Sequence, residues 1–132
     1  MLNKVHIGLL FVISLIFCSC FQLFEPGPAT FVKKTYNPSK TKQAILFIKG
    51  GNATESDSWQ VSIKNADDEL DKTEAGNTFT TDGDHGKIVP DSTSISFTWK
   101  TDHSLLITYD KRLRTFTQVT NIDGVSVSYT AK

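Results

Sequence analysis

With 132 residues, 39% of them apolar, the chain has material for one hydrophobic core and a targeting segment, and too little for two cores. Its 14 basic residues balance 14 acidic ones, which argues against a nucleic-acid partner, because phosphate contacts call for a clustered excess of Lys and Arg. The two cysteines, Cys18 and Cys20, stand one residue apart and none follows, so no internal disulfide can staple the rest of the chain.

The first predicted element is a targeting segment. Lys4 precedes an apolar run over residues 7–17, interrupted only by Ser14, which is signal-peptide anatomy. The run ends in Phe17-Cys18-Ser19-Cys20, and a small residue directly before a cysteine resembles a bacterial lipoprotein signal. That resemblance implies a signal peptide over residues 1–19, a diacylglycerol thioether on Cys20 and palmitate-type acylation of the new amine. Each buried methylene contributes about 0.8 kcal/mol, so one acyl chain holds marginally and several hold durably. Two alternatives stay open: an uncleaved anchor, since apolar character persists to Phe24 and nears spanning length, or simple secretion. No acidic tag follows Cys20, so neither the membrane nor the leaflet is marked.

Pro26 and Pro28 cannot continue a helix, and residues 20–35 are read as lipid anchor and tether. A β-rich domain is expected over residues 36–132. Residues 43–49 form a continuous apolar run, the pattern of a strand covered on both faces. Residues 59–64 alternate, with Trp59, Val61 and Ile63 in phase; residues 77–81 form a weaker candidate strand. Residues 94–100 place Ile95, Phe97 and Trp99 on one face. Residues 105–109, 115–121 and 124–129 complete the set. Gly, Pro, Asn and Asp separate these segments at short intervals, as at Asn37-Pro38-Ser39, Gly50-Gly51-Asn52 and Ile122-Asp123-Gly124. The expected fold is all-β: an antiparallel meander or small β-sandwich of about six to seven strands. Residues 66–74 carry Leu70 as their only large apolar residue, which indicates a solvated loop in place of a helix.

Several local patterns, namely Asn37-Pro38-Ser39-Lys40, Gly51-Asn52-Ala53-Thr54, Gln60-Val61-Ser62-Ile63, Gly76-Asn77-Thr78-Phe79 and Trp99-Lys100-Thr101-Asp102, lead to Leu105-Leu106-Ile107-Thr108-Tyr109. Over about residues 36–110 the chain resembles a family of uncharacterised small bacterial lipoproteins. Asn52 stands where that pattern has Gly, and Asn also tolerates positive φ. The resemblance implies the fold and an envelope address, and brings no activity with it.

Candidate sites are few. Thr81-Asp82-Gly83-Asp84-His85-Gly86 gathers two carboxylates and an imidazole, but its spacing is not that of an EF-hand loop, and a flexible polar turn is the expectation. Asp102-His103 lacks cysteines to complete a zinc set, and both His85 and His103 are expected to be exposed. Gly50-Gly51-Asn52-Ala53-Thr54 offers backbone amides to an anion, though a tight turn explains it as well. Trp59 and Trp99 alternate in phase with core residues and are expected inside. Lys111-Arg112-Arg114, the densest basic cluster, reads as a solvated turn. No nucleophile motif occurs. No catalytic, cofactor-binding or metal residue is expected, and Cys20 is the one assigned site.

The functional expectation is a membrane-tethered, non-catalytic binding domain of the bacterial envelope with a protein or glycan partner. The alternative is an inhibitor or immunity-type protein against an envelope hydrolase. A hydrolase of unfamiliar type is a third reading, because paired carboxylates meet only in the fold.

Overall fold

Strands with period-two patterning bury alternate side chains, and two such sheets close a core between them. The computed structural model describes residues 26–51 and 56–132; the signal at 1–19 and the lipid site at Cys20 lie outside these. The strands in chain order are β1 (Ala29–Tyr36), β2 (Lys42–Lys49), β3 (Ser58–Asn65), β4 (Phe79–Asp82), β5 (Ile95–Thr101), β6 (Ser104–Tyr109), β7 (Arg114–Gln118), β8 (Asn121–Ile122) and β9 (Val125–Ala131). One sheet has the order β1-β2-β3-β4-β7 and the other β5-β6-β9-β8. The fold is an all-β sandwich, and no helix occurs among the described residues.

Seven of these nine strands coincide with the seven segments read from the sequence. The other two, β1 and β8, have physical reasons to escape notice. A register shift between Phe31 and Lys33 breaks the alternation of β1, which lies inside the span assigned to the tether. Strand β8 is only two residues long. It turns into β9 through Asp123 and Gly124, whose φ values of 48° and 75° fit a two-residue type I′ hairpin loop.

The core joins Ala44 and Leu46 of β2, Trp59, Val61 and Ile63 of β3, and Phe79 of β4 to Ile95, Leu105, Ile107, Val125 and Val127 of the opposite sheet. Phe79 lies between Tyr109 and Tyr129, with ring centroids at 5.2 and 5.6 Å. The continuous apolar run of β2 is buried on both faces, as its composition predicts. On the outer face, Gln43, Ile45, Phe47 and Lys49 are at most 7% exposed. Residues 66–76 cross that face. The Gln43 amide donates to carbonyls of that segment, closest to Asp68 at 2.6 Å. Lys49 donates to the Thr73 carbonyl, and Gln60 accepts the Gly76 amide. The segment expected to be merely solvated therefore serves as a cover.

One pairing departs from the antiparallel expectation: β6 and β9 run parallel, Ser104 opposite Ser126 through Tyr109 opposite Ala131. The chain leaves the second sheet after β6 to place β7 beside β4, then returns through β8. That excursion lets β9 dock on β6 in the same direction, whereas a hairpin would impose the opposite one.

Along one side of the sandwich, Lys33 of β1 donates to the Ile95 carbonyl at 2.6 Å, and the Trp99 indole donates to the Thr35 carbonyl at 3.4 Å. Asn37, 2% exposed, accepts the Thr41 and Lys42 amides and donates to the Asp102 carbonyl. Along the other side, the Tyr129 hydroxyl reaches the Val119 carbonyl at 2.6 Å, and burial pushes that phenol up to about 12.

Candidate functional site

Strand β4 ends in Asp82, and the chain then turns sharply. Asp84, His85 and Gly86 all take positive φ, at 50°, 58° and 78°, a conformation that costs roughly 1–2 kcal/mol for each residue bearing a Cβ. The turn is secured by the Ile88 amide donating to the Gly83 carbonyl at 3.1 Å and by Asp82 Oδ1 accepting the Asp84 amide at 2.9 Å. Gly83 is required here, because a Cβ would stand 2.2 Å from the Ile88 carbonyl oxygen.

Register sets Asp82 opposite Arg114 of β7. Arg114 donates through Nε to Asp82 Oδ1 at 3.1 Å and through Nη2 to Oδ2 at 2.5 Å, a bidentate geometry suited to guanidinium and carboxylate. Its Nη1 stands 2.8 Å from His85 Nε2. Arginine has no acceptor, so the imidazole accepts there and its proton is assigned to Nδ1. The guanidinium also lies over the Phe116 ring, 4.8 Å from its centroid. Lys87 pairs with Asp84 at 2.6 Å.

Burial works to raise the pKa of Asp82, but the hydrogen bonds from Arg114 and from the Asp84 amide, together with the Arg114 charge, outweigh it, leaving the carboxyl below its ordinary value. Asp84 is also lowered, chiefly by Lys87, and Arg114 is raised by Asp82. A carboxylate engaged by two guanidinium N–H groups and an amide is a poor proton acceptor. What the cluster offers outward is the Arg114 face, the Lys87 ammonium and the Phe116 ring, which is 57% exposed.

The structure thus brings Asp82, Asp84 and His85 together in a polar turn held by hydrogen bonds. It also corrects the reading of Arg114. Lys111 and Arg112 occupy the turn after β6, where Arg112 clamps Asp110, while Arg114 belongs to β7. A lone Asp closing a strand was a signal for such a partner, but its position in the fold was not.

His85 and His103 are both exposed. Asp102 does not converge with His103 on a ligand; its carboxylate accepts the Ser39 amide at 2.7 Å. Trp59 is buried and Trp99 packs against the core, so neither forms an open platform. The Gly51 amide is taken by Asp57 at 2.9 Å, which removes it as an anion donor, and residues 52–54 lie outside the described residues. Among the described residues no group of three or more His, Cys, Asp or Glu could hold a metal.

Two open hollows flank the end of β2. One, of about 350 Å³, is lined by Ile48, Asp57, Trp59, Ile88, Val89 and Pro90, among others, adjoining the Asp82 turn. The other, of about 450 Å³, is lined by Pro26, Gly27, Pro28, Lys49, Lys72 and Thr73. Comparison with protein-family models, with curated proteins and with solved structures finds no match.

Proposed function

We propose that the chain is a lipid-anchored protein of the bacterial envelope whose β-sandwich is a non-catalytic binding domain for a protein partner, presented through the Arg114–Phe116 surface. The carrying observation is the Arg114 guanidinium, fixed on one side by Asp82 and His85 and stacked on an exposed aromatic ring. Arg and aromatic side chains, held in place before contact, are the residues that anchor protein interfaces. The address is supported by the signal-like segment and Ser19-Cys20.

A photo-crosslinking residue at position 116, expressed in living cells of the source bacterium, tests the surface. A discrete adduct that disappears on Arg114→Ala is the expected result. Equal labelling from an exposed control position such as Thr98 would show that the surface has no partner of its own.

A further inference from the structure

The second hollow has an electrostatic character that the Asp82 turn lacks. Lys49 closes β2 on the outer face of its sheet and is only 7% exposed, although an ammonium is among the costliest groups to bury without a counter-charge. Among the described residues its Nζ has one acceptor, the Thr73 carbonyl at 3.2 Å, and it forms no ion pair. Of its three donors, two have no acceptor among the described residues.

Among the described residues, the neighbouring acids are engaged elsewhere. Asp71 accepts the Thr73 amide and hydroxyl at 2.7 and 2.6 Å, and Glu74 pairs with Lys64 at 2.7 Å. Lys72 adds a second cation to the wall, and its backbone is held in place because its carbonyl accepts the Ala29 amide at 2.8 Å. The opposite wall is fixed by the Gly27 amide donating to the Gly50 carbonyl at 3.0 Å.

We propose that this hollow binds a phosphate-type oxyanion through Lys49 and Lys72. A phosphate oxygen supplies the acceptors that the Lys49 ammonium lacks, and two cations match its charge. Two sources share this chemistry: a soluble phosphate compound and the headgroup of an anionic lipid. Pro26 lines the hollow six residues after Cys20, a stretch that reaches about 20 Å at most. The headgroup source therefore rests on the lipid-anchor reading, while the oxyanion site itself does not.

The test is amide NMR of the full-length protein purified in neutral-detergent micelles, titrated with inorganic phosphate and, separately, with phosphatidylglycerol doped into the micelles. Saturable shifts at Gly27, Lys49 and Thr73 are expected. Lys49→Met should abolish them, and Lys72→Gln, at an exposed position that leaves the fold intact, should weaken the affinity about ten-fold. Shifts with both titrants assign the lipid headgroup, and shifts with phosphate alone assign a soluble ligand. Absence of saturable shifts with either titrant, or shifts indifferent to Lys72→Gln, would overturn the site. Intact mass of the same sample reports the state of Cys20 separately, so failure of the anchor and failure of the site are distinguishable.

Discussion

Arg114 grips Asp82 through two nitrogens across the β4–β7 pairing, so that the edge strand is fastened to the sheet by a charge pair as well as by its backbone ladder. The Asp82 side chain is 6% exposed and that of Arg114 36%, which makes removal of the arginine the harsher change. Arg114→Ala strands a buried carboxylate and should cost about 2 kcal/mol. Asp82→Asn keeps the shape and one acceptor and should cost less. Urea denaturation of the two single variants and the double variant measures their coupling, which should be favourable by about 1 kcal/mol.

Acid should unfold the domain through its carboxylates. Asp82, Asp84, Asp91, Asp102 and Asp110 are all held below the ordinary value, Asp110 at about 2 by its Arg112 hydrogen bonds. A depressed folded-state pKa stabilises the fold above the unfolded value of about 3.9, and the contribution is lost as pH falls through the folded value. Stability should therefore be level above about pH 5 and decline from about pH 4 toward pH 2. Arg112→Ala should return Asp110 toward the ordinary carboxylate range, read by carboxyl carbon shifts in an NMR titration.

Asn37 is a further point of failure. Its buried side chain bonds Thr41, Lys42 and the Asp102 carbonyl, tying the β1–β2 loop to the β5–β6 turn. Asn37→Ala leaves buried amides without acceptors and should lower stability by roughly 2–3 kcal/mol. Thermal denaturation followed by circular dichroism checks the loss, and an unchanged midpoint would remove this loop from the framework.

The Asp82 turn makes a contrast between two glycines. Gly83→Ala forces a Cβ against the Ile88 carbonyl oxygen, so the turn must move. At Gly86 a Cβ meets nothing within 4 Å, and only the positive φ opposes it, at a cost of about 1 kcal/mol. Gly83→Ala should therefore be the more destabilising and should displace His85 from Arg114, visible in the imidazole NMR shifts; Gly86→Ala should leave that contact in place.

The strands with clean alternation, such as Ile95-Ser96-Phe97-Thr98-Trp99, were legible because pleating maps period two directly onto a buried face. Residues 43–49 were legible for the opposite reason, since an unbroken apolar run requires cover on both sides. The bulge at Val32 hid β1, and the parallel docking of β9 on β6 depends on which sheet β7 joins, a choice made by long-range packing. At the site, the sequence singled out Asp82, Asp84 and His85 but misplaced Arg114, because a basic residue two positions after Arg112 reads as part of the same turn. Lys49 was invisible as a site residue: it ends an apolar run, and only the chain crossing from residues 66–76 makes it buried.

Mass spectrometry of the protein extracted from membranes of its source bacterium tests the lipid anchor most directly. A mature chain beginning at Cys20 and carrying the mass of a diacylglycerol and an amide-linked acyl group is the predicted result. A chain that still begins at Met1, or a free thiol at Cys20, would contradict it.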